Sequence, residues 1–532
     1  MAIIISQIKT TLDEDKSSAV SKALAKARLN PAQVKSARVF KSSVDARKGE
    51  ICFVHSVLLE LECPAKERKL AESMQNVRLH TDEELSVDFG SEKLDGDIYV
   101  AGFGPAGMFC ALTLCEFGYK PVVLERGAAM DERVSAVERY WQGGSLDPRT
   151  NVQFGEGGAG TFSDGKLTTR IGDALCSRVL KKFCEFGAPE EILTKAKPHI
   201  GTDKLRSVVK NLRSRIIELG GEVRFLSPLE NITIENGRIS SVRINGADSA
   251  CGALALAVGH SAHDTFRMLL DRGVAMEPKP FSVGARIEHL QADIDAALYG
   301  KYAGHPALPP AEYQLSYREN DRGVYTFCMC PGGYVVASAS GAGTVVTNGM
   351  SYFDRAGKNA NSAVLVGISP DDFGREPLAG AEFISRLEAR AFEMGAKRGA
   401  ANSAPAMLTQ EFLGNGGALS LGRVTPTYMP GIESADLREL FPDFVSEHLA
   451  KGLRFFEHRI SGFSDSDSVL TAIETRSSSP VRIPREESGS TKSADNLFPC
   501  GEGPGYAGGI MSAAVDGIRI AVKIMERFAP NG

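Results

Sequence analysis

The sequence predicts an α/β protein in three parts: a small N-terminal α+β domain, a Rossmann-like domain, and a β-rich domain inserted into the second. Three observations predict it. A short apolar strand over residues 97–101 runs into Gly102-Phe103-Gly104-Pro105-Ala106-Gly107 and an apolar helix, then into a second strand that ends at Glu125, the order of a βαβ unit. Residues 1–95 read as strand, helix, strand, strand, the mark of a separate α+β unit. From about Lys279 to Pro484 short strands mix with irregular glycine-rich connections. The expected boundaries are 1–95, 96–279 and 280–484, with 485–532 returning to the Rossmann-like domain.

Taken in order, residues 3–8 form the first expected strand. The spacing predicts a helix over 12–29 with Ala19, Val20, Ala23, Leu24 and Ala27 on one face. Two strands follow at 38–44 and 51–61 across a Lys48-Gly49 turn, and 66–74 reads as a second helix. This domain has 15 basic and 15 acidic residues and no chemical motif. Asp95-Gly96-Asp97 is the expected boundary. Beyond the first βαβ unit, 204–219 is amphipathic and stops at Gly220-Gly221. Strands at 222–226, 232–235, 239–244 and 253–258 follow, with Asn236-Gly237 and Asn245-Gly246 as hairpin turns. The last element, 509–528, is a helix with Ile510, Ala514, Ile518, Ala521, Val522 and Met525 on one side.

Composition bounds the partners. The 532 residues are 43% hydrophobic and 24% charged, with a net charge of −5. That is globular, and it argues against nucleic acid as main partner. No run approaches the roughly 20 apolar residues of a membrane helix, and Ile3-Ile4-Ile5 is too short for a signal-peptide core. The ten cysteines show no Cys-x-x-Cys and no zinc spacing. Free thiols in a cytoplasmic protein, with no metal, are the expectation. Oligomeric state is left open.

The glycine run carries the chemistry. Gly102 makes a tight turn, Gly104 lets the backbone approach a pyrophosphate, and Gly107 lets helix and strand pack closely. The helix N-terminus presents free N–H groups and partial positive charge to phosphates. Glu125, 23 positions after Gly102, is placed to accept hydrogen bonds from ribose hydroxyls.

Further segments decide between dinucleotides. The run Glu125-Arg126-Gly127, the meander 222–244, the strand end at 254–259 and the late segment 497–509 resemble flavoproteins of the glutathione-reductase type with two dinucleotide folds. Val258 departs from the usual Ala-Thr-Gly there. Phe498-Pro499-Cys500-Gly501-Glu502-Gly503 resembles the segment whose carboxylate binds the ribityl chain, with Glu502 in place of the usual Asp. The glycine-rich run 151–166 sits where such proteins bring a loop to the isoalloxazine. These segments, with 279–284, 326–333 and 501–510, make the whole chain similar to a bacterial family of FAD-dependent dehydrogenases. The resemblance implies FAD and a redox role. It implies cofactor contacts from Gly102, Gly104, Pro105, Ala106, Gly107, Glu125, Arg126, Arg133, Gly158, Ala159, Thr161, Lys166, Leu229, Gly259, Gly501, Glu502, Gly509 and Ile510. Lys166 would set positive charge beside the flavin, Arg126 and Arg133 would reach the pyrophosphate, and the helix at Ile510 would face the pyrimidine edge.

No second Gly-x-Gly-x-x-Gly follows residue 107, and Gly341-Ala342-Gly343 lacks the third glycine. A dedicated nicotinamide domain is therefore not expected, although NAD(P)H entering the substrate cleft is a candidate electron donor. Cys110 and Cys115 are five residues apart on a helix, so they point to different sides and read as core thiols. Cys328 and Cys330 alternate on a strand and read as core packing, with a substrate-facing pair as the other reading. His260 or His263 could touch a phosphate or a substrate. Arg286, His289, Arg476 and Arg482 fall in the substrate domain, where an arginine could clamp a carboxylate bidentately. No catalytic residue is assigned. The expected function is hydride transfer between a small-molecule substrate and FAD. A flavin monooxygenase and an RNA-modifying or regulatory flavoprotein remain as alternatives.

Overall fold

The computed structural model describes residues 2–47, 49–81, 84–396, 401–414 and 416–530. Lys48, half of the expected Lys48-Gly49 turn, lies outside them.

The N-terminal unit is βαββαβ. Strands Ala2–Thr10, Val34–Asp45, Cys52–Leu61 and Val77–His80 form one sheet, ordered second, third, first, fourth. All three pairings are antiparallel, the ferredoxin-like arrangement. Helices Lys16–Lys26 and Pro64–Ser73 cover one face. Alternation puts Ile3, Ile5, Val57 and Leu59 beneath Ala19 and Ala23. The first helix starts later than its apolar spacing predicts, because Asp15 caps it by accepting from Ser18 N at 2.9 Å. The short strand at Val77 lies outside the sequence reading. The unit joins the next domain through backbone: Ser42 N donates to Thr194 O at 2.7 Å and Ala196 N to Ser42 O at 2.8 Å.

The second sheet has a parallel half in the order Glu222–Arg224, Val122–Leu124, Asp97–Ala101, Ala247–Leu256, Leu497–Pro499. The long strand Ala247–Leu256 joins the parallel and antiparallel halves of the sheet. Its first half pairs antiparallel with Arg238–Ile244, which pairs with Leu229–Glu235. Helices Pro105–Glu116 and Ile510–Arg527 pack on one face. They touch so closely that a Cβ on Gly517 would lie 2.2 Å from Ala106 O.

The inserted region enters along Glu277–Pro278 and leaves along Val481–Arg482, and these two segments pair antiparallel. Between them lies a seven-stranded sheet with Phe281–Leu290 and Asn359–Ile368 near its centre. Helices Ala379–Gly395 and Asp443–Glu457 bury Ile384, Leu387, Leu449 and Leu453 in its core. The short-strand reading of this stretch did not anticipate these helices. Among the described residues no helix is long and apolar enough to cross a membrane, and no His/Cys/Asp/Glu group could hold a metal.

Candidate cofactor cleft

Strand ends build the site. In open parallel sheets ligands bind outside the carboxyl ends of the strands. Here four such ends deliver Gly102, Glu125, Gly259 and Glu502 to one cleft, partly open to solvent.

Gly102 has φ +104°, and a Cβ there would sit 2.3 Å from Ala257 O. A Cβ on Gly107 would sit 1.9 Å from Gly102 O. Side chains are sterically barred at both positions, so this turn is a requirement of packing. Gly104 caps the helix and Pro105 takes its first position, where no N–H is needed. The first-turn N–H groups thus face the cleft without intrahelical partners. Gly158 arrives from the second glycine run with φ +65°. Its Cβ would lie 2.9 Å from Gly104 Cα, so two bare backbones face one another.

Glu125 ties these loops together. Its carboxylate accepts from Phe103 N, Gly127 N and Gly155 N, each at 2.9 Å. It is buried yet lines the cleft. Arg126 lines the cleft too, stacked 4.4 Å over Phe154 and donating to Thr265 Oγ1 at 2.9 Å.

Arg133 does not reach the cleft, contrary to expectation. It is fully buried, and its guanidinium donates to the carbonyls of Asn151, Val152, Gly155, Glu156 and Gly158 at 2.6–3.3 Å. A guanidinium has five N–H donors, so none is left for a phosphate. Arg133 shapes the glycine loop instead. Gly107, Thr161 and Gly501 also stay behind the wall. Gly107 and Gly501 are packing glycines, the latter with a Cβ position 2.6 Å from Ala106 Cβ. Thr161 is buried and accepts from Thr202 Oγ1 through its carbonyl at 2.6 Å.

The other expected residues line the cleft. Pro105, Ala106 and Ala159 stand beside the glycines, and Leu229 and Gly259 form another wall. Glu502, Gly509 and Ile510 close it from the C-terminal segment. Lys166 lines it as well, but its charge is paired: Nζ lies 3.2 Å from Asp164 and bonds the carbonyl of Met329. Burial would pull this ammonium down; the carboxylates of Asp164 and Glu312 outweigh it and hold the pKa above its ordinary value. Burial alone would raise Asp164, but Lys166 and Arg355 hold it well below the usual carboxylate range. Arg355 forks Asp164, with Nε at 3.0 Å and Nη2 at 2.6 Å.

The far end of the cleft belongs to the inserted domain. Arg286 and Glu474 form a buried bidentate pair at 3.0 and 2.9 Å. Arg476 is forked by Glu388 at 2.8 Å on both arms. These two arginines are therefore not free clamps for a substrate carboxylate; the chain supplies the carboxylates itself. Arg482 stacks 4.3 Å over Tyr506. His289 bonds the Phe463 carbonyl at 2.6 Å in the core, where burial lowers its pKa to about 4. His263 is held neutral by burial and by Arg476.

The Cys328 reading needs correction. The strand Arg322–Cys330 breaks register after Phe327, and Cys328 takes φ +44°. Alternation is lost there: both thiols line the cleft, as the substrate-facing reading had it, but Cys328 is exposed and Cys330 buried. The carbonyls of Cys328 and Met329 are gripped by Arg286 and Lys166 respectively. The surrounding protein mass still pushes the Cys328 thiol up to about 12. Cys110 and Cys115 are buried core thiols; burial raises both, Cys115 to about 12.

Sequence reasoning missed Asn348, Gly349, Glu474 and Ser477 as lining residues. They come from the strand Thr347–Met350 and from the end of Val469–Glu474 and just after it, neither carrying a local motif. Gln153 and Phe154 were inside the quoted glycine-rich run but were not singled out.

Comparisons agree with part of this. Residues 280–477 match the family model described as FAD-dependent protein, C-terminal domain-like, and residues 2–60 match a domain of unknown function. A Clostridium beijerinckii protein described as an uncharacterized protein is 46% identical over 534 residues, 99% of each chain. Among solved structures, a geranylgeranyl bacteriochlorophyll reductase-like protein of Thermoplasma acidophilum has 13% identity and TM-score 0.35, covering 82% of this chain and 79% of that one. Glycine oxidase from Bacillus cereus has 10% identity and TM-score 0.34, covering 82% and 98%. Likeness at these scores carries no functional argument. The identity to the Clostridium protein does decide kinship: the chain belongs to one family with it, and residues 280–477 carry the C-terminal domain of FAD-dependent proteins.

Proposed function

We propose that this chain is an FAD-dependent oxidoreductase that transfers hydride between a small-molecule substrate and bound FAD. One observation carries the reading: two side-chain-free loops, at Gly104 and Gly158, meet at a helix N-terminus outside parallel strand ends. That cradle suits a pyrophosphate, since the first-turn N–H groups have no side-chain cap and no side chain on Gly104 stands before them. When bound, FAD supplies the hydride acceptor and donor.

The chain's own residues do the rest. The first turn of Pro105–Glu116 would hold the diphosphate and Glu125 would accept from the ribose. Glu125 already takes three backbone N–H groups, so roughly one of its four acceptor sites is left. The helix at Ile510 would place its positive end at the ring. The far wall, with Cys328, Asn348, Glu474 and Ser477, would receive the substrate. Its cations are each matched by a carboxylate, which favours a substrate without a strong net charge.

The test is anaerobic. Purified protein should show flavin absorbance, as isolated or after FAD is added. One of NADH, NADPH, amino acids or hydroxy acids should then bleach it. A colourless sample that takes up no FAD would remove the reading.

A further inference from the structure

His260 follows the strand end at Gly259 and lines the cleft while only 8% exposed. Its Nε2 is buried and has no hydrogen-bond partner in the chain. Leaving such an atom unpaired is costly, so a partner from the ligand is the economical explanation. Its Nδ1 lies 3.6 Å from Glu502 Oε1, too long for a hydrogen bond, so Nε2 can carry the ring proton and donate it to an acceptor oxygen.

The position along the cleft narrows the partner. Gly259 packs on Gly503, whose Cβ would sit 2.6 Å from Gly259 O. Gly501 abuts Ala106 in the first helical turn, and Ala257 abuts Gly102. His260 therefore follows a strand end that packs on the segment abutting the anchoring helix. The neighbouring charges are accounted for: Lys279 faces Glu502, Arg476 is forked by Glu388, and Ser261 bonds Gln153 at 3.1 Å.

We propose that His260 contacts the bound dinucleotide itself, its Nε2 donating to an oxygen at the middle of the molecule. This rests on the flavin reading above. The shared chemistry is a polar oxygen, from either a phosphate or a ribityl hydroxyl.

Calorimetric titration of flavin-free protein with FAD and with ADP tests it. H260A should bind FAD about tenfold more weakly, the loss of one buried hydrogen bond. H260Q should recover part of the loss. Equal weakening toward ADP assigns the phosphate; weakening toward FAD alone assigns the ribityl hydroxyl. FAD affinity equal to wild type in H260A overturns the proposal. If H260A does not fold, H260L carries the same comparison. A wild type that binds ADP but not FAD removes the flavin reading instead, and leaves the phosphate arm legible.

Discussion

The two ends of the cleft are made differently. The glycine end is backbone: turns with positive φ, bare Cα atoms, and a helix terminus. The far end is side chains, held by ion pairs across great sequence distances. Arg286 and Glu474 are 188 positions apart, Arg355 and Asp164 191. The first end works because atoms are missing; the second works because charges are matched. Their failures should differ accordingly.

The largest effect should come from the far end. Arg286→Leu leaves Glu474 buried and unpaired, and should cost about 3–5 kcal/mol in denaturant unfolding. It should also release the Cys328 carbonyl. If the loss is below about 1 kcal/mol, the buried pair is not what holds that wall.

At the glycine end, Gly102→Ala drives a Cβ to within 2.3 Å of Ala257 O at φ +104°. FAD uptake should fall at least about tenfold, with a loss near 1–2 kcal/mol from the left-handed backbone alone. Arg133→Lys, in the same loop, replaces five donors by three. It should cost about 1–3 kcal/mol and weaken FAD binding indirectly. A variant with wild-type stability would show that the five carbonyls do not need the fork.

Acid separates the ends further. Asp164 has a folded pKa depressed below its unfolded value of about 3.9. Its stabilisation is therefore complete above that value and lost as pH falls through and below it. Urea midpoints measured down the acid range should fall more steeply for the wild type than for Asp164→Asn.

The smallest effect should come from Cys328→Ser, within about 0.5 kcal/mol of wild type. Iodoacetamide should label Cys328 in flavin-free protein only slowly, because its raised pKa leaves little thiolate, while Cys110, Cys115 and Cys330 stay unlabelled, since only Cys328 of these four is exposed. Labelling of Cys330 first would mean the strand break is misassigned.

The comparison also explains what could be read in advance. The Gly102–Gly107 turn, Glu125 and the late Glu502 segment are contiguous patterns, each forced by local geometry, and all three reach the cleft. Arg133 reads like a phosphate ligand, because nothing local says that five carbonyls will surround it. Cys328 and Cys330 read as an alternating pair because a register break depends on the neighbouring strand. The helix Ala379–Gly395 was missed within a stretch rich in strand and glycine signals.

By itself the sequence determined the βαβ unit, its bare turn and the acidic strand end, because those follow from steric rules acting over a few residues. Which arginines are free and which are already paired, and which thiol is exposed, was decided only by the tertiary structure. Burial and pairing between strands nearly two hundred positions apart set those outcomes, and no short window of sequence contains both partners.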